Sequence, residues 1–102
     1  MQDVRVVRAQ VELFPGSVSG KTTGYQSGVR PNHFFDRQDS AVPGSVTFEG
    51  QDWLDLGASC AAIVRFVYPS NFQPLAVGAT WRIQEGSCHV GNGRVTAILD
   101  VG

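Results

Sequence analysis

The run Ala79–Leu99, ATWRIQEGSCHVGNGRVTAIL, constrains this chain more than any other stretch of it. Two segments with strand-like alternation flank the dipeptide Glu85-Gly86, which leaves room only for a tight reversal. The chain must fold back on itself here as an antiparallel hairpin, with Thr80–Gln84 running out and Gly93–Leu99 returning. Gly86 suits the positive φ that such a turn demands. Inside the return run, the Gly91-x-Gly93 step marks a β-bulge or a close backbone approach, the two settings that favour glycine within a strand.

The same period of two recurs upstream. In Val7–Phe14, Val7, Ala9, Val11 and Leu13 point one way while Arg8, Gln10 and Glu12 point the other, the pattern of a half-buried strand. Ser45–Phe48 is a shorter strand with Val46 and Phe48 on one face. Ala58–Tyr68 is apolar almost throughout, with Arg65 as its single charge. Its β-branched and aromatic content, its Gly57 start and its Pro69 stop favour a strand over a helix. Pro15–Gly28 is the one long loop. Short strands with Gly, Pro and Asn punctuation and no helical pattern predict an all-β fold, a small antiparallel barrel or sandwich.

At 102 residues, with no repeat or linker, residues 1–102 form a single domain. Hydrophobic residues at 42% and charged ones at 17% supply a core and exclude a disordered chain. Eight basic residues against nine acidic ones leave a net charge of −1, so there is no broad attraction to nucleic acid and no DNA partner is expected. No apolar run is long enough for a signal peptide or a bilayer span, so the expectation is a cytoplasmic chain with no membrane partner. Met1 is expected to open a complete reading frame. Cys60 and Cys88 form no CxxC and fall on separate predicted strands, as buried reduced thiols do.

Three constellations hint at chemistry and fall short of it. Gly16-Ser17-Val18-Ser19-Gly20-Lys21-Thr22-Thr23 resembles a phosphate-binding loop, but three residues separate its glycines where the phosphate cradle needs four. That motif must also open a helix, and Gly24, Gly28 and Pro31 leave no room for one. Cys88 and His89 are adjacent in a predicted strand and so face opposite ways, while Cys60 with His33 has no supporting signature. No zinc-ligand spacing is present, and Asp52 and Asp55 read as solvated turn residues. The expectation is therefore a protein that is not an enzyme and needs neither metal nor cofactor. Three loop-borne aromatics, Tyr25, Trp53 and Phe72, cannot all enter a small core and are candidate anchors for a protein partner.

Several motifs in order resemble the third domain of bacterial elongation factor Tu. Gly28-Val29-Arg30-Pro31-Asn32-His33-Phe34-Phe35 is similar to that family's G-Y-R-P-Q-F-Y-F segment. Glu49-Gly50, Leu54, Gly57, the apolar run and Pro69 follow its register, and the chain ends on a similar EG turn with a V-G-x-G-x-V return strand. The similarity covers roughly Gln10 to the C-terminus, with a short insertion after Pro69. It implies a freestanding closed barrel of six or so antiparallel strands, Greek-key in type, without its GTPase. It also implies a role in translation, docking either a protein such as a GTPase domain or the T stem of tRNA.

Carried over position by position, the resemblance assigns RNA contacts to Lys21, Arg30, Asn32, Tyr68, Glu85 and Gly86. Lys21 would neutralise a phosphate and Tyr68 would bond or pack on a ribose, contacts that do not read sequence. The family's cations beside the EG turn are replaced here by Gln84 and Cys88, and Arg94 is a gain expected on a different edge. Fewer cations mean fewer released counterions, so tRNA binding is expected to be weak. A Lys21, Arg30 and Arg82 patch would favour RNA, an exposed aromatic patch a protein.

Overall fold

The alternation around Val7–Leu13 extends to the N-terminus as β1 (Gln2–Leu13). Val7, Ala9, Val11 and Leu13 are all fully buried, as the period of two requires. The computed structural model describes residues 2–35, 41–69 and 75–99; the side chains of residues 2, 3, 68 and 69 lie outside that description. After β1 come a single helical turn, α1 (Gly16–Ser19), and a two-residue strand, β2 (Tyr25–Gln26). Then follow β3 (Asn32–Phe35), β4 (Val42–Phe48), β5 (Trp53–Leu54), β6 (Ser59–Pro69), β7 (Thr80–Glu85) and β8 (Cys88–Ile98).

Six strands close a barrel in the order β1-β6-β4-β3-β7-β8, with β8 pairing back onto β1. Every pairing is antiparallel. β3, β4 and β6 run side by side and β7 returns to lie beside β3, the spatial order of a Greek key. Closure leaves no long sheet edge to be capped. β2 and β5 pair as a separate ribbon, Tyr25 opposite Leu54 and Gln26 opposite Trp53. The ribbon is tied to the barrel by Gly28 N–H to Val46 O at 2.7 Å and by Phe48 N–H to Ser27 Oγ at 2.9 Å.

The barrel interior is filled by the inward residues of all six strands. At its centre Phe35, Phe66, Trp81 and His33 form a nest of edge-on rings, with Phe66–Trp81 centroids 5.1 Å apart and His33–Phe66 5.0 Å apart. Such edge-to-face geometry sets the positive rim of one ring against the negative face of another. His33 is fully buried, and its Nε2–H donates to the Gly44 carbonyl at 3.0 Å.

Several boundaries move relative to the sequence expectation. The return strand of the hairpin begins at Cys88, not Gly93. Its bulges fall at Val90, which lies between the pairs Ile83–Gly91 and Gln84–His89, and at Thr96, between Arg8–Ala97 and Ala9–Val95. Gly93 is therefore not a bulge residue. It sits opposite Trp81, whose indole fills the place a side chain would take, and Gly91 likewise lies against the Glu12 carbonyl of β1. Gly86 does take the left-handed conformation, at φ +60°. The long loop carries α1, because Val18, Ser19 and Gly20 donate back to Pro15 and Gly16. Cys88 is exposed where a buried thiol was expected, and only Cys60 is buried.

Candidate functional site

Alternation on three neighbouring strands builds a concavity on the barrel surface. The outward residues of β1, β8 and β7 fall into two cross-strand rows: Glu12, Asn92 and Arg82 in one, and Gln10, Arg94 and Thr80 in the other. Together they line a groove of about 740 Å³ on the outside of the barrel. Trp81 and Gly93, which belong to the inward set, complete its floor. Arg82 and Arg94 are diagonal neighbours, so their Cβ atoms stand roughly 7–8 Å apart. Among the described residues neither guanidinium has an ion-pair or hydrogen-bond partner. Asn92 stands between Arg82 and the one acid, Glu12, whereas Glu12 is a diagonal neighbour of Arg94 across β1 and β8 without forming an ion pair with it.

A second cluster unites three residues that the sequence assigned to two different surfaces. Lys21 Nζ lies 2.9 Å from Glu85 Oε2 and 4.6 Å from the centroid of the Tyr25 ring. The ammonium thus pairs with a carboxylate on one side and with a ring face on the other. Its side chain is only 12% exposed. Partial burial pushes the Glu85 carboxyl up, but the nearby Tyr25 phenol and the paired Lys21 ammonium outweigh this, and the net shift is downward. Burial, with the neighbouring Glu85 carboxylate, drives the Tyr25 phenol far above its ordinary value. The cluster ties the loop after α1 to the tip of the β7–β8 hairpin beside Gly86. It is an internal fastening, not an open cation.

The remaining candidates stay apart. Arg30 is exposed between the Val29 bridge and β3, and Asn32 is exposed at the start of β3, opposite Pro43 and Gln84. Tyr68 pairs with Asp3 through its backbone, and its side chain lies outside the described residues. Trp53 is 45% exposed, with its indole N–H donating to Asp55 at 2.8 Å. Tyr25 is buried, and Phe72 lies outside the described residues. The Arg82 that sequence reasoning grouped with Lys21 instead faces the same groove as Arg94. Arg94 shares that face and is not on a separate edge. Its outward direction was readable from alternation; its neighbour was not, because the bulge at Val90 shifts the register of the β7–β8 hairpin by one residue.

The thiols and imidazoles do not assemble either. His33 rests on Phe66, whereas Cys60 is six residues back along the same strand, roughly 20 Å away at strand rise. Burial, with the charge of Glu49, pushes the Cys60 thiol up, which keeps it protonated. His89 donates through Nε2 to Asn92 Oδ1 at 2.7 Å and sets its ring edge-on to Phe14, away from catalytic use with Cys88. Among the described residues, no three of His, Cys, Asp and Glu are placed to hold a metal ion. No helix among them is long and apolar enough to cross a membrane.

In the Gly16–Thr22 segment the helical turn ends at Gly20, whose N–H bonds the Gly16 carbonyl at 2.8 Å. Lys21 and Thr22 therefore follow the carbonyl end of the turn, the end that repels phosphate. Calorimetric titration with millimolar GTP or ATP and magnesium is expected to give no saturable heat. Saturation at micromolar nucleotide would contradict this geometry. No family model matches the chain.

Proposed function

We propose that this chain is a non-catalytic binding module of the elongation factor Tu third-domain type, docking a protein partner in a translation-linked, cytoplasmic setting. The observation that carries this is the groove across β1, β8 and β7. It is open, rich in hydrogen-bond donors, and built on rigid paired strands that hold its side chains in fixed register. Protein is favoured over the tRNA T stem because Lys21, the cation assigned to phosphate, is engaged by Glu85 and sheltered over Tyr25. Glu12 also stands in the groove itself, where it repels a phosphate chain.

The test is a pull-down from the lysate of the protein's own cells, with and without nuclease, using the native chain and an Arg82→Ala/Arg94→Ala variant. Protein captured despite nuclease and lost with the variant supports docking at the groove. Anisotropy with labelled tRNA supplies the other arm. With two or three cations available, binding is expected to be weaker than roughly 10 μM at physiological salt, and to fall steeply as salt rises. Submicromolar tRNA affinity that drops on Lys21→Ala would replace the protein by RNA.

A further inference from the structure

We infer that the groove is a receptor for an extended acidic peptide segment, with Arg82 and Arg94 each taking a carboxylate from alternate residues of the ligand. The inference rests on the docking function proposed above and names the chemistry of the partner. Three observations carry it.

Spacing comes first. Arg82 and Arg94 project from adjacent strands in diagonal register, Arg82 opposite Asn92 and Arg94 opposite Thr80. That places their Cβ atoms roughly 7–8 Å apart. Side chains two residues apart on one face of an extended peptide are separated by roughly 6.5–7 Å. An acidic residue, any residue and a second acidic residue therefore present two carboxylates at the spacing of the two guanidinium groups. Each guanidinium offers a planar fork that fits a carboxylate with two parallel hydrogen bonds.

Availability comes second. Arg8 is held by Glu49 at 2.7 Å and Lys21 by Glu85 at 2.9 Å, whereas the two groove arginines have no such partner among the described residues. Glu12, diagonal to Arg94, is the one acid beside them, so the two adjacent like charges keep a net positive charge that incoming carboxylates offset.

The third observation limits the occupant. β1, β8 and β7 span two strand spacings, roughly 10 Å, enough to seat a single extended chain across them. Gln10 supplies a side-chain amide beside the arginines with both donor and acceptor, and Asn92, whose Oδ1 accepts from His89, adds its amide N–H donors. Glu12, opposite Asn92 and diagonal to Arg94, adds one negative charge to the groove, which weighs more heavily against a continuous polyanion than against a segment carrying two carboxylates.

The experiment titrates the full chain into a fluorescein-labelled seven-residue peptide with glutamates at its third and fifth positions and serine, threonine and glycine elsewhere. Saturable binding at low salt is expected. Arg82→Ala and Arg94→Ala should each weaken it by about tenfold, Arg94→Lys by less, since it keeps the charge and loses the fork. Replacing the two glutamates by glutamines, or moving them to adjacent positions, should weaken it comparably. No binding of the glutamate peptide, or equal binding of the adjacent-glutamate peptide, overturns the assignment. Equal or tighter binding of a single-stranded RNA oligonucleotide that the same variants weaken would overturn it in favour of phosphate. If the peptide fails while the pull-down still depends on Arg82 and Arg94, docking at the groove stands and only the acidic chemistry falls. A pull-down indifferent to both arginines removes the docking function itself.

Discussion

Gly93→Val is expected to destabilise the barrel by more than about 3 kcal/mol. Trp81 pairs directly with Gly93 across β7 and β8, and its indole occupies the space into which a Cβ at Gly93 would project. The indole cannot retreat. It is 2% exposed and is packed against Phe66 at 5.1 Å, Phe35 at 5.5 Å and His33 at 5.9 Å between centroids. The strands must separate or the aromatic nest must re-form. Even Gly93→Ala meets this clash, so it is expected to cost more than Gly86→Ala. At Gly86 nothing lies within 4 Å of an added Cβ, and the penalty of about 1 kcal/mol comes from the positive φ alone.

Urea unfolding of the three variants orders these costs. A double variant, Gly93→Ala with Trp81→Leu, should lose less than the sum of its single changes by at least about 1 kcal/mol, because the smaller side chain vacates the contested space. Additive costs, or a Gly93→Ala variant no less stable than Gly86→Ala, would show that Gly93 is not held by the indole.

Acidification from pH 7 to pH 5 is expected to remove about 2 kcal/mol of stability through His33. Burial lowers its pKa from 6.5 to about 4, only partly offset by the hydrogen bond to the Gly44 carbonyl. The ring is fully buried, and its Nδ1 has no hydrogen-bond partner. Because the folded pKa lies below the unfolded one, the unfolded chain takes up the proton first. Stability is complete above about pH 6.5 and declines as pH falls towards about 4, by about 3 kcal/mol in all. Glu85, also lowered, contributes in the same direction at more acidic pH. Unfolding midpoints at pH 7 and 5 for the native chain and for His33→Gln, whose amide can still donate to Gly44, separate the two groups. The variant should lose most of the dependence between those values. An unchanged pH slope in the variant would assign the acid sensitivity elsewhere.

The strands that were legible in the sequence are those whose burial depends on one neighbour at a time. Val7, Ala9, Val11 and Leu13 alternate because one side of β1 faces the interior, whatever lies across from it. Glu85-Gly86 closes β7 onto β8 through a local turn, and the apolar run of β6 persists because Ile63 and Val67 on its outer face are also partly covered. The all-β class and the reason for Gly86 follow from such local patterns, which leave a barrel and a sandwich both open. β2 and β5, at two residues each, are too short to carry a period. β3 reads as a strand only once His33 and Phe35 have an interior to enter.

What could not be read was anything set by distant segments becoming neighbours, or by the exact register of the hairpin. Lys21 and Glu85 are ordinary loop charges until the loop after α1 is folded against the hairpin tip, where they neutralise each other. Gly93 looks like a bulge glycine until Trp81 is placed opposite it. Arg82 and Arg94 fall on one face because the Val90 bulge shifts the β7–β8 register by one, setting Arg82 opposite Asn92 and Arg94 opposite Thr80, and β1 adds Gln10 and Glu12 beside them. Local alternation decides which way each side chain points, since it depends on backbone geometry within a few residues. Barrel closure decides what each side chain meets, since the pairing register is chosen by the packing of the whole interior.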